Sequence, residues 1–115
     1  MENEQPINIG DILVAKYGLN RSGAYTEINF FKVIRFTGTG RPVLKRLHAQ
    51  NAGWRGMYRL VLTPGEEMDD KTFHSHMSRD GGRTVKLPGH NQTHSLFMYD
   101  PLQVYVVEGF RGDDY

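Results

Sequence analysis

The chain has no cysteine, so disulfides, thiolate metal sites and cysteine nucleophiles are excluded together. Long apolar runs are missing too. The longest, Ile12-Leu-Val-Ala15 and Val104-Tyr-Val-Val107, fall far short of the roughly 20 residues that a membrane-spanning helix needs. The polar opening Met1-Glu-Asn-Glu-Gln-Pro6 lacks the basic-then-apolar order of a secretory signal, and a cytoplasmic location is therefore expected. Tryptophan occurs once, at Trp54, and no internal repeat or low-complexity tract is visible. Acids are scarce in one half of the chain. Between Ile12 and Leu62, nine basic residues stand against the single acid Glu27, although the net charge of the whole chain is only +1. A locally basic half can build a positive face in a nearly neutral protein.

What is present points to β structure. A chain of 115 residues fits one domain with one core, here placed at residues 9–109 between flexible ends at 1–8 and 110–115. Short runs rich in β-formers alternate with Gly, Pro, Asn and Asp, which predicts strands over Asp11–Leu19, Glu27–Phe36, Pro42–Leu47, Gly56–Leu62, Arg83–Leu87 and Leu102–Val107. In the second of these, Ile28, Phe30, Ile34 and Phe36 are expected on one face with Phe31 and Val33 on the other, the pattern of a central strand covered on both sides. Thr37-Gly-Thr-Gly-Arg-Pro42 reads as a hairpin turn rather than a phosphate loop, since it matches neither the Walker nor the Rossmann spacing. Thr63 to Met77 reads as the one helix, with Thr63 as N-cap, Pro64 in the first turn, and Glu66 and Glu67 favoured by the helix dipole. The expected fold is mainly β: a small SH3-like or partly open β-barrel of five to six antiparallel strands with one short helix.

No covalent chemistry is spelled out. His74 and His76 share a side if their segment is extended, and His90 and His94 would do so only on a helix, but no third ligand stands at a telling distance. Neither a metal nor a cofactor is expected. A two-histidine phosphodiesterase needs two His-x-Ser/Thr motifs, and His76-Met-Ser78 alone fits; a serine hydrolase needs a Gly-x-Ser-x-Gly elbow, which is missing. An enzyme reading would rest on His74, His76 and Asp80, and ranks last.

Binding has more support, because basic and aromatic residues interleave through the basic half: Lys16-Tyr17, Arg21 to Tyr25, Phe31-Lys32, Arg35-Phe36, Trp54-Arg55 and Tyr58-Arg59. Arginines pair with phosphates and aromatic faces stack on bases. Phe30, Phe36 and Tyr58 are assigned to the core, leaving Tyr17, Tyr25 and Trp54 as the exposed candidates. Trp54, between Gly53 and Gly56, reads equally as an anchor for a partner and as a lid folded back on the core.

Ile9-Gly-Asp-Ile-Leu-Val14, then Tyr17-Gly18, then Thr26-Glu-Ile-Asn-Phe-Phe-Lys-Val33, with Leu62-Thr-Pro64 and Tyr99-Asp100 later, resembles a family of short proteins carried by phages and mobile elements. The resemblance covers residues 9 to 36 best. The present chain has Tyr17, Leu19 and Asn29 where that pattern has Trp, Tyr and an acid, and inserts Arg21-Ser-Gly-Ala-Tyr25 in the turn. The resemblance implies a phage or mobile-element origin, a host bacterial cytoplasm and a small SH3-like β-barrel, and it carries no established activity. The expected function is a non-enzymatic accessory protein that binds nucleic acid or a nucleotide through Arg21, Tyr25, Arg41, Arg46, Trp54, Arg55 and Arg59. The alternative is an inhibitor that docks on a bacterial host or defence protein.

Overall fold

The computed structural model describes residues 7–19, 21, 23–55, 59–77, 82–87 and 93–108. These form eight strands: β1 (Ile12–Leu19), β2 (Tyr25–Phe36), β3 (Pro42–Trp54), β4 (Arg59–His74), β5 (His76–Met77), β6 (Arg83–Lys86), β7 (Thr93–Met98) and β8 (Tyr105–Glu108). They join in one sheet of order β3-β4-β8-β2-β1-β7-β6-β5, with a further pairing of β3 to β2. Pairing therefore returns on itself, running from β2 to β3, β4 and β8 and back to β2. All contacts in this circuit are antiparallel except the last, a single parallel bridge of Tyr25 with Val107.

The alternation along β1 and β2 sends apolar side chains to both sides, and each side builds its own core. Leu13, Ala15, Phe31 and Val33 meet Leu44, Val85, Leu87 and Leu96 on one side, with Phe73 and Ile7 packed against them. Val14, Ile28 and Phe30 meet Leu47, Leu60, Leu62, Tyr105 and Val107 on the other. Strands β3 and β4 are long enough to serve both: Leu44 and Phe73 belong to the first core, Leu47, Leu60 and Leu62 to the second. The expected two-sided burial of β2 holds as far as Val33. A register shift between Val33 and Arg35 then changes the phase, leaving Ile34 half-buried and Phe36 exposed rather than in the core. Tyr58 lies outside the described residues, as do residues 1–6 and 109–115, which hold most of the ends expected to be flexible.

The expected helix at Thr63–Met77 is instead the greater part of β4, followed by β5. Local capping signals lost to long-range pairing. The only large apolar side chains beyond Leu62 in that segment are Met68, Phe73 and Met77, which make no helical stripe, whereas the extended chain pairs with β3 from Trp54↔Leu60 to Val43↔His74. The ladder shifts register three times, and the excess residues of β4 bow outward around Glu66–Lys71. Gly65 sits where this bow leaves β3: a Cβ there would lie 2.8 Å from Cγ of Gln50 and 3.0 Å from the His48 carbonyl oxygen. Strand β7 is absent from the sequence-based expectation, because Thr93 to Ser95 read as loop and only Leu96 to Met98 are apolar.

Candidate anion-binding surface

Five of the seven nominated residues come together at one end of the sheet. Cross-strand pairs run Leu19↔Tyr25, Tyr25↔Val107, Val107↔Leu60 and Leu60↔Trp54, so β1, β2, β8, β4 and β3 all reach that end in one row. Arg21 lies in the turn after β1, Arg55 just beyond β3 and Arg59 at the start of β4; all three are exposed. The Arg55 amide donates to the Arg59 carbonyl, at 2.6 Å, which closes the β3–β4 hairpin. Glu108 stands opposite Arg59 in the β4–β8 ladder, and Glu27 opposite Tyr17 two positions further along β2 from Tyr25.

The two aromatic residues of the set are not free platforms. Tyr25 and Trp54 are both half-buried against the second core, so Trp54 covers apolar surface as well as fronting the arginines. Lys16 Nζ sits 5.3 Å from the Tyr25 ring centroid, 5.1 Å from Phe97 and 5.8 Å from Tyr105, close enough for cation–π attraction to all three. Tyr105 in turn stacks on Tyr99, with Phe30 edge-on to both. Burial pushes the Tyr105 hydroxyl above its ordinary value of 10.0, partly offset by the hydrogen bond that the Asp100 amide donates to its oxygen. Tyr17, the other aromatic expected to be exposed, stands 44% exposed beside Leu19 at 63% on β1, near the same end.

Arg46 and Arg41 are elsewhere. The β2–β3 ladder ends at Phe30↔Leu47, and the two strands then part to leave a hollow of about 330 Å³ lined by Glu27, Asn29, Arg46, His48, Ala49 and Met68 among others. Arg46 donates to the Asn29 side-chain oxygen, and the Asn29 amide donates to Glu27, at 2.8 Å. Asn29 is buried, so this chain of partners satisfies its polar atoms and fixes Arg46. Lys32 and Lys45 are also engaged, by Glu67 at 3.8 and 3.3 Å, with Asp70 3.7 Å from Lys45. The basic half of the sequence is thus not one basic face, because acids carried by the bow of β4 fold back over part of it.

Arg41 stands at the opposite end of β3, in the turn between β2 and β3. There it shares a hollow of about 490 Å³ with Thr39, Gly40, Ser75, His76, Met77 and Arg83. The turn is the expected hairpin: the Thr37 amide donates to the Arg41 carbonyl, the Gly40 amide to the Thr37 carbonyl, and Gly40 has φ of 85°. His74 and His76 are exposed, while Asp80 lies outside the described residues. No group of three or more His, Asp or Glu placed to hold a metal ion occurs among the described residues, and no helix there is long and apolar enough to cross a membrane. Nothing in the sequence ties Arg83 to Arg41, 42 positions away; the β5–β6 pairing of Met77 with Arg83 brings them to the same hollow. No protein-family model matches the chain, and neither curated proteins nor solved structures give a match.

Proposed function

We propose that this protein is a non-enzymatic binding module that engages the phosphate backbone of a nucleic acid through the end of the sheet bearing Arg21, Arg55 and Arg59. The observation that carries the reading is the convergence of three exposed arginines from two separate turns, with Tyr25 and Trp54 between them. Guanidinium groups suit bidentate phosphate contact, and the half-exposed rings offer edges or faces to a base. The circuit of pairings through β2, β3, β4 and β8 supports reading the fold as a partly open barrel of SH3-like character. The N-terminal resemblance supports an accessory role in a phage or mobile element acting in the bacterial cytoplasm.

Salt dependence tests it. Three phosphate contacts on a single strand imply a slope of log affinity against log salt of about −2. Binding of a fluorescent oligonucleotide, followed by anisotropy at several salt concentrations, should give that slope in the native chain and a shallower one in R55E/R59E. A slope near zero, or unchanged affinity in the double variant, would count against nucleic acid. One observation favours a protein partner instead: Tyr17 and Leu19 expose apolar surface beside the same arginines, as an inhibitor of a host or defence protein would require. Tyr17→Ser with Leu19→Ser separates the two, since it should leave oligonucleotide affinity intact.

A further inference from the structure

The hollow at the opposite end of the sheet has a different chemistry. Its described lining contains two arginines, Arg41 and Arg83, one imidazole, His76, two hydroxyls, Thr39 and Ser75, and no carboxylate. Ser75 is 1% exposed, and its hydroxyl has no hydrogen-bond partner among the described residues. A buried hydroxyl is ordinarily satisfied, and one left unpaired costs stability unless something else repays it. Its own backbone is fixed: the Ser75 amide donates to the Pro42 carbonyl at 3.1 Å, holding the residue beside the turn that carries Arg41. The pairings His76↔Thr84 and Met77↔Arg83 bring the second arginine to the same place.

From these residues we infer a binding site for a phosphate monoester, with Arg41 and Arg83 clamping the phosphate oxygens and the Ser75 and Thr39 hydroxyls completing the shell. Two guanidinium charges match the charge of about −1.5 to −2 that a monoester carries near neutral pH. A diester in a nucleic-acid backbone has only half the charge and two free oxygens, so the site selects a terminal or free phosphate over the backbone. The hollow has room for the phosphate and part of the group it is attached to. The inference stands apart from the nucleic-acid reading, which concerns the other end of β3.

The test is titration of the isotope-labelled full chain with inorganic phosphate, with a nucleoside 5′-monophosphate, with the matching nucleoside, and with a dinucleoside monophosphate as the diester. Amide and arginine side-chain resonances are followed by NMR. Both monoester-type ligands should move Gly40, Ser75 and His76, and the nucleoside and the diester should not. Stronger binding of the monophosphate than of inorganic phosphate would assign the natural ligand to a nucleotide or a strand end; equal binding would assign it to free phosphate. R41A and R83A should each weaken affinity about tenfold, in keeping with loss of a charge-assisted contact. S75A should weaken it several-fold while leaving the melting temperature of the free protein unchanged or raised. The inference is overturned if phosphate moves only resonances at the Arg21, Arg55 and Arg59 end, if the diester binds as well as the monoester, or if S75A and R83A both bind phosphate like the native chain.

Discussion

At the residue scale, two positions are held by what surrounds them. Gly65 has no room for a methyl group, because the nearest obstacles include the His48 backbone oxygen, which cannot turn aside as a side chain can. Gly65→Ala should therefore destabilise the fold by about 1–3 kcal/mol, as overpacking does, measured by urea denaturation. Tyr105 makes a pH-dependent contribution. Its folded pKa lies above the unfolded value of 10.0, because burial disfavours the phenolate. The folded state then holds its proton more tightly than the unfolded state, so this stability is complete below pH 10 and is lost as pH rises from there through the folded value. Melting curves at pH 8, 10 and 11 should show an alkaline decline that is smaller in Tyr105→Phe. That variant should also lose about 1 kcal/mol at pH 8 with the hydrogen bond from Asp100. Neither position announces itself in sequence. Gly65 looks like part of a helix start, and Tyr105 looks like any strand aromatic.

At the element scale, the sequence was legible where a strand's own alternation decides its fate. Strand β1 starts within a residue of its expected boundary, and β2 buries Ile28 and Phe30 on one side, Phe31 and Val33 on the other, because side chains in a strand alternate whatever the partner. It was misread where a partner decides. Thr63, Pro64 and two glutamates carry real local preference for a helix start, but β3 supplies an unpaired edge along which extended backbone can bond, and the buried Leu60 and Leu62 at period two anchor β4 to it. Leu62→Ala should then cost about 2–5 kcal/mol and be felt on both sides of the sheet seam. Chemical denaturation gives the cost, and hydrogen exchange should show amides of β8, paired with it through Leu62↔Tyr105, losing protection together with those of β4. A cost below 1 kcal/mol would mean that Leu62 does not anchor the strand.

At the scale of the whole molecule, the basic half of the sequence is divided by topology. Arg41 sits in the turn just before β3, Arg46 within the strand and Trp54 at its far end, so residues 13 positions apart in sequence are nearly the length of an extended strand apart in space. That is why the nominated set separates into an end with Arg21, Arg55 and Arg59, a middle where Asn29 holds Arg46, and a far hollow where Arg41 meets Arg83. Composition revealed the excess of positive charge. It could not reveal which acids fold back over it, since Glu67 and Asp70 approach Lys45 only through the β3–β4 ladder.

The single parallel bridge between Tyr25 and Val107 seats the last strand of the sheet between two that precede it in sequence. Strands β2, β3 and β4 follow one another through turns and can pair while the chain is still being made, but β8 is synthesised some 30 positions after the end of β4 and must slot between two strands already formed. Without β8, Phe30, Leu60 and Leu62 would lose the cover of Tyr105 and Val107, and the edge of β4 that β8 occupies would be open to another strand. A chain in which β8 has left the sheet would thus present apolar surface beside open strand edges, the combination from which aggregation starts.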